Sequence, residues 1–268
     1  MTGLWAAPNA PGALRDAGQR EALRAWLLAM ADDDLILGHR HSEWTGFAPD
    51  IESDVAMSSI SQDEIGHARL LYEQVGALDD TSPDGLAYGR TSRAFRNAVL
   101  VERENGDWAY TIVRAWMYDH ADAVRLAALA SSSLGSFSAL AKTLQREEKY
   151  HLLFSHAWLE RLSRAGGDSQ TRVQAALEAA WSDALVLYEP TPGIERLVAS
   201  GALHVGPAEQ AARWRAGVEA GLAAVGLSVP AGGPTAGEGG RAGRHTPALD
   251  LLLDEMTSVW RTDPEARW

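Results

Sequence analysis

The sequence predicts an all-α protein. Valine-rich alternating runs are scarce, long stretches carry apolar residues at helical spacing, and Pro or Gly punctuates the ends of those stretches. A first helix is expected from about Asp16 to Phe47, broken near the run Asp32-Asp33-Asp34 and stopped by Pro49. Asp50 or Ser53 can cap a second helix, which is expected to end at Gly76. Residues 77–106 read as a long irregular connection, with turn signals at Pro83-Asp84-Gly85 and Asn105-Gly106. A third helix over about Asp107–Ala130 and a fourth over about Phe137–Arg164 follow.

Two helices, a long connection and two more helices is the chain order of a ferritin-like four-helix bundle with its crossover between helices 2 and 3. Further helices are expected over about 171–187, 207–225 and 246–260. They are read as extra C-terminal helices packing on one ferritin-like domain, whose bundle spans about 16–165. The Gly- and Pro-rich stretch "SVPAGGPTAGEGGRAGRH" between the last two reads as a mobile loop.

Composition narrows the function. The 268 residues include no cysteine, which excludes disulfides, thiolate metal sites and a cysteine nucleophile. A net charge of −12 argues against nucleic acid or an anionic membrane as partner. The N-terminus lacks the basic start and apolar core of a signal peptide, and no apolar run reaches a membrane span, so a cytoplasmic protein is expected. Ten tryptophans favour an oligomer.

The second helix carries an oddity. Helical stepping through it gives Met57, Ile60, Glu64, His67 and Leu71, so an acid and an imidazole occupy an apolar seam. The fourth helix repeats this as Phe137, Ala141, Leu144, Glu148 and His151. The third reads Trp108, Ile112, Ala115, Asp119, Asp122 and Leu126, and the first places Glu43 on a face with Ile36 and Phe47. A buried carboxylate costs several kcal/mol unless it is paired or bound to a cation. One acid from each of two helices plus Glu-x-x-His from each of two others is the ligand inventory of dinuclear carboxylate bundles. The candidate ligands are therefore Glu43, Glu64, His67, Asp119, Glu148 and His151, with Asp122 as partner or substitute for Asp119. Imidazole and carboxylate suit two iron ions, with manganese as the alternative. For His39, His41 and His156 a surface or interface role is the default.

These strings resemble the phenylacetic-acid catabolic protein family, the ferritin-like subunits of the bacterial phenylacetyl-CoA epoxidase. "ILGHRHSEWTGFAPDIESDVAMSSISQDEIGHARLLY" is similar to the family's first helix pair. "VERENGDWAYTIVRAWMYDH" and "EEKYHLLFSHAWLERL" resemble its third and fourth helices. The tail "GRHTPALDLLLDEM" resembles that of the non-catalytic subunit, whose metal site is degraded, whereas Glu64-Ile65-Gly66-His67 resembles the catalytic subunit's motif.

The resemblance implies a subunit of a di-iron monooxygenase that epoxidises the ring of an aryl-CoA thioester with O2. It implies as partners a catalytic or structural paralogue and a separate reductase, since this chain carries no flavin, nicotinamide or iron–sulfur motif. Arg90, Arg93 and Arg96, and Arg241 with Arg244, are candidate patches for an anionic substrate. The competing readings are a scaffold subunit that does no chemistry, and an iron-storage or manganese-catalase-like bundle.

Overall fold

A computed structural model describes residues 16–234 and 239–263. The described chain is helical throughout its regular elements, in the order α1 (Ala17–Ser42), α2 (Ile51–Asp79), α3 (Pro83–Tyr88), α4 (Val99–Glu102), α5 (Trp108–Ala130), α6 (Gly135–Arg164), α7 (Gly167–Ala184), α8 (Ile194–Ala199), α9 (Pro207–Ala224) and α10 (Pro247–Met256). This is the all-α class expected, in the ferritin-like helix order. No described helix is long and apolar enough to cross a membrane. By contacts the described chain divides into two compact units, residues 24–104 with 239–263, and residues 16–23 with 105–234.

In the unit built on residues 24–104, the Asp50 carboxylate accepts the Ser53 N–H at 2.8 Å and starts α2, as expected. Three expectations are corrected. α1 is continuous through Asp32-Asp33-Asp34: all three acids are buried, and Asp32 and Asp33 are held by partners rather than breaking the helix. It stops at Ser42, short of Phe47, which is 79% exposed. α2 passes Gly76 and ends at Asp79; Asp80, with φ 62°, takes the left-handed position expected of a glycine and donates its N–H to Gly76 O.

The 77–106 connection holds α3, α4 and a 3₁₀ turn over Ser92–Ala94 rather than irregular chain alone. α1 and α2 run antiparallel, with Ser61 Oγ donating to Gly38 O at 2.7 Å and Tyr72 Oη to Asp32 at 2.6 Å. Gly38 permits this approach, since a Cβ there would lie 2.9 Å from Ile65 Cγ1 and 3.0 Å from Glu64 Cβ.

In the two candidate arginine patches, Arg90 and Arg241 are engaged inside the protein, while Arg93 and Arg244 are exposed. Arg90 pairs with the fully buried Asp32 and stacks over the Phe95 ring at 4.1 Å. Arg241 forks onto Asp33 at 2.8 and 2.6 Å. Burial opposes the Arg90 charge, but the Asp32 carboxylate outweighs it and holds the guanidinium pKa above its usual value. The same burial, with Asp32 alongside, pushes the Tyr72 phenol well up.

Residues 239–245, expected within a mobile loop, are instead docked. His245 Nδ1 lies 2.6 Å from Glu102 Oε2, and the Thr246 N–H donates to Glu102 Oε1 at 2.5 Å. The stretch expected to be mobile also includes residues 235–238, which lie outside the described residues.

In the other unit α5 is central and packs against α6, α7 and α9. α6 begins at Gly135, one half-turn before the expected Phe137. α7 and α9 pack on α5, in part through aromatic side chains: Trp214 Nε1 donates to Met117 O at 2.9 Å and its ring stacks on Trp181 with centroids 6.0 Å apart. Tyr188 Oη donates to Ala121 O at 2.9 Å. Burying such rings accounts for part of the tryptophan count without invoking an interface.

Candidate metal centre

The apolar seams put the acids inside. In α2 the residues Met57, Ile60, Glu64, His67 and Leu71 are all buried. In α6 so are Phe137, Ala141, Leu144, Glu148 and His151. Residues i and i+3 project from one side of a helix, so each glutamate delivers its carboxylate beside the histidine one turn on.

In the first unit, Asp34, Glu64 and His67 are 4%, 1% and 2% exposed. One ligand atom from each lies within 4.8 Å of the other two. Two carboxylates and an imidazole match the oxygen–nitrogen donor set of iron or manganese, and together the acids carry the charge that balances one divalent ion. The residues present therefore fit the metal that the sequence implies.

Asp34 was not among the expected ligands; the acid expected from this helix was Glu43. Glu43 lies beyond the end of α1, with a side chain 36% exposed, and its Oε1 accepts Arg40 Nη1 at 2.6 Å. It is not grouped with Glu64 and His67. Nine residues separate Asp34 from Glu43, two and a half turns, so the two would project to opposite sides even of an extended helix. The signal for Asp34 was present in the sequence. Leu27, Ala31, Asp34, Gly38 and His41 step along α1 at helical spacing, and Leu27, Ala31, Asp34 and His41 are all buried. The triple-Asp run masked that seam because it read as a break.

In the other unit, Glu148 Oε1 and His151 Nδ1 are 3.3 Å apart and both residues are buried. On α5, Asp119 Oδ2 accepts the Ser155 hydroxyl at 2.5 Å, while Asp122 lies 4.0 Å from the buried Arg125 guanidinium. Both acids face inward, as expected. The Ser155 hydroxyl orients the Asp119 carboxylate.

Of the three histidines given a surface or interface role by default, none is fully exposed. His41 is buried at 1% exposure, and His39 and His156 are half-buried. Burial lowers the His39 pKa to about 4, so it is neutral at ordinary pH. Burial and then the neighbouring His156 lower that of His120 to about 4. His156 lies beside the buried Trp116 ring, with centroids 6.4 Å apart.

The model of the phenylacetic acid catabolic protein family matches residues 11–268. The chain belongs to this family. A curated relative, one of the subunits of 1,2-phenylacetyl-CoA epoxidase from Escherichia coli (strain K12), is 33% identical over 247 residues, covering 92% of this chain and 99% of the relative. The match runs through both units, so the buried Glu-x-x-His pairs sit inside a phenylacetic acid catabolic protein and not in an appended segment.

Proposed function

We propose that this chain is the counterpart of that Escherichia coli relative in a multicomponent phenylacetyl-CoA epoxidase of aerobic phenylacetate breakdown, acting in the cytoplasm within a hetero-oligomer. We infer further that it binds metal through Glu64-x-x-His67 with Asp34, and through Glu148-x-x-His151 with Asp119. Family membership and near-complete coverage of the curated relative support the first part. The observation that carries the second is the buried Asp34–Glu64–His67 cluster, with ligand atoms within 4.8 Å.

A bound di-iron pair would supply the activation of O2 for ring epoxidation. The chain's own residues do the rest. Glu64 and His67 hold donor positions one helical turn apart on a seam bordered by Ile60 and Leu71, which keeps water out and lets the carboxylate act at low dielectric. The Ser155 hydroxyl fixes the rotamer of Asp119. Electrons must arrive from a reductase, because a chain without cysteine cannot ligate an iron–sulfur cluster through thiolates.

One observation favours a scaffold reading. Glu43, expected as a ligand, is exposed and paired with Arg40.

Reconstitution separates the two. The chain, a catalytic paralogue and a reductase are mixed with phenylacetyl-CoA, and epoxide is followed by mass spectrometry. Turnover is expected to require this chain and to be lost with its Glu64→Ala variant. Full turnover with Glu64→Ala would select the scaffold; no turnover from the complete wild-type mixture would overturn the assignment.

A further inference from the structure

The three consecutive acids of α1 are each buried, and successive side chains on a helix point about 100° apart. Two of them are clamped from outside the helix. Asp32 accepts Tyr72 Oη at 2.6 Å, Arg90 Nη1 at 3.0 Å and the Arg96 N–H at 2.7 Å. Asp33 accepts the Ala98 N–H at 2.6 Å and both terminal nitrogens of Arg241, at 2.8 and 2.6 Å. Arg241 Nη1 also donates to Ala29 O at 3.0 Å and Arg96 O at 2.7 Å, so one guanidinium joins α1, the 90–98 segment and the C-terminal arm. The third acid is Asp34, grouped with Glu64 and His67.

We propose that Arg241 is a positioning residue for the metal centre: by fixing Asp33 it sets the roll and height of α1, and so the place of the Asp34 carboxylate. The inference rests on the reading of Asp34 as a metal donor. A carboxylate stands roughly 6 Å from the helix axis, so a roll of about 15° carries it about 1.5 Å. Metal–ligand distances tolerate about 0.2 Å. A clamp on the adjacent residue is therefore needed at the accuracy that a metal requires.

The arm that carries Arg241 is built to stay in place. A Cβ at Gly240 would overlap Asn97 O, so only glycine lets the arm close on the 90–98 segment. Beyond it, His245 and Thr246 hold Glu102, and Arg40 of α1 donates to Glu102 O at 2.9 Å and Ala248 O at 3.0 Å. The C-terminal arm thus reaches α1 at two levels, one on each side of Asp34 in sequence.

The test is a double-mutant cycle on the full chain, titrated with cobalt(II), whose absorption bands report both affinity and coordination geometry. Arg241→Met is expected to weaken cobalt binding roughly 10–100-fold, the usual effect of removing an outer-shell partner, and to alter the bands. Asp34→Asn should weaken binding as well. The Arg241→Met/Asp34→Asn variant should bind no more weakly than Asp34→Asn alone, because both changes act through one carboxylate.

Additive losses would mean that Arg241 only supports the fold, and would overturn the proposal. So would wild-type affinity and bands in Arg241→Met. Arg241→Lys keeps the charge but not the fork and serves if the Met variant does not fold; it should bind more weakly than wild type with shifted bands, and wild-type behaviour would refute the clamp. Cobalt bound by the wild type but unaffected by any Arg241 change leaves the metal centre standing and removes this inference. A wild type that takes up no cobalt removes both.

Discussion

Glu64→Ala and, separately, Glu148→Ala are expected to abolish metal binding while leaving the helical content intact. Both glutamates are nearly inaccessible, at 1% and 4% exposure, and each sits one turn before a buried histidine. Removing either takes a charged oxygen donor from a buried seam, and alanine offers none in its place. The fold should tolerate the loss, because deleting a buried carboxylate also removes its desolvation cost. Elemental analysis with far-ultraviolet circular dichroism on the same samples checks both statements. Full metal occupancy in either variant would remove that residue from the donor set.

The opposite pattern is expected for Asp32→Ala, which should cost about 3–5 kcal/mol of stability. Asp32 is fully buried and answers Arg90, Tyr72 and the Arg96 amide at once. Without it the mostly buried guanidinium loses its counter-charge, and an uncompensated buried charge is among the most damaging single changes known. For a chain of this size a loss of that order lowers the melting temperature by roughly 10 °C. The exposed Arg69–Glu73 pair, at 3.2 Å, provides the contrast. Glu73→Ala should shift the midpoint by less than about 2 °C, because solvent screens such pairs. A thermal scan of both variants decides it; equal shifts would show that the Asp32 network is not an anchor of the fold.

The sequence made the helices and their buried faces legible because burial and helical period act locally. Met57-Ile60-Glu64-His67-Leu71 and Phe137-Ala141-Leu144-Glu148-His151 line up as seams from spacing alone, and all are buried. What could not be read was pairing over long separations. Nothing local to Asp33 says that Arg241, 208 residues on, neutralises it, so the triple acid read as a helix break and the arginine as a free patch. The same gap displaced the helix-one donor. Glu43 looked suited because it shares a helical face with Ile36 and Phe47. Yet its carboxylate is answered by Arg40, one turn back, while Asp34 beside the close-packing Gly38 is grouped with Glu64 and His67. Helix ends were also misjudged where a non-glycine, Asp80, adopts the left-handed turn.

The central claim, that the buried acids and histidines serve a metal, is tested most directly by counting metal in the wild-type protein. The chain is expressed with added iron, freed of loose metal and analysed per mole of polypeptide. Close to two irons per chain is the predicted result, as the dinuclear donor inventory requires. A stable, folded protein holding little or no metal would contradict the account, and the buried carboxylates would then have to be answered by groups of the protein itself.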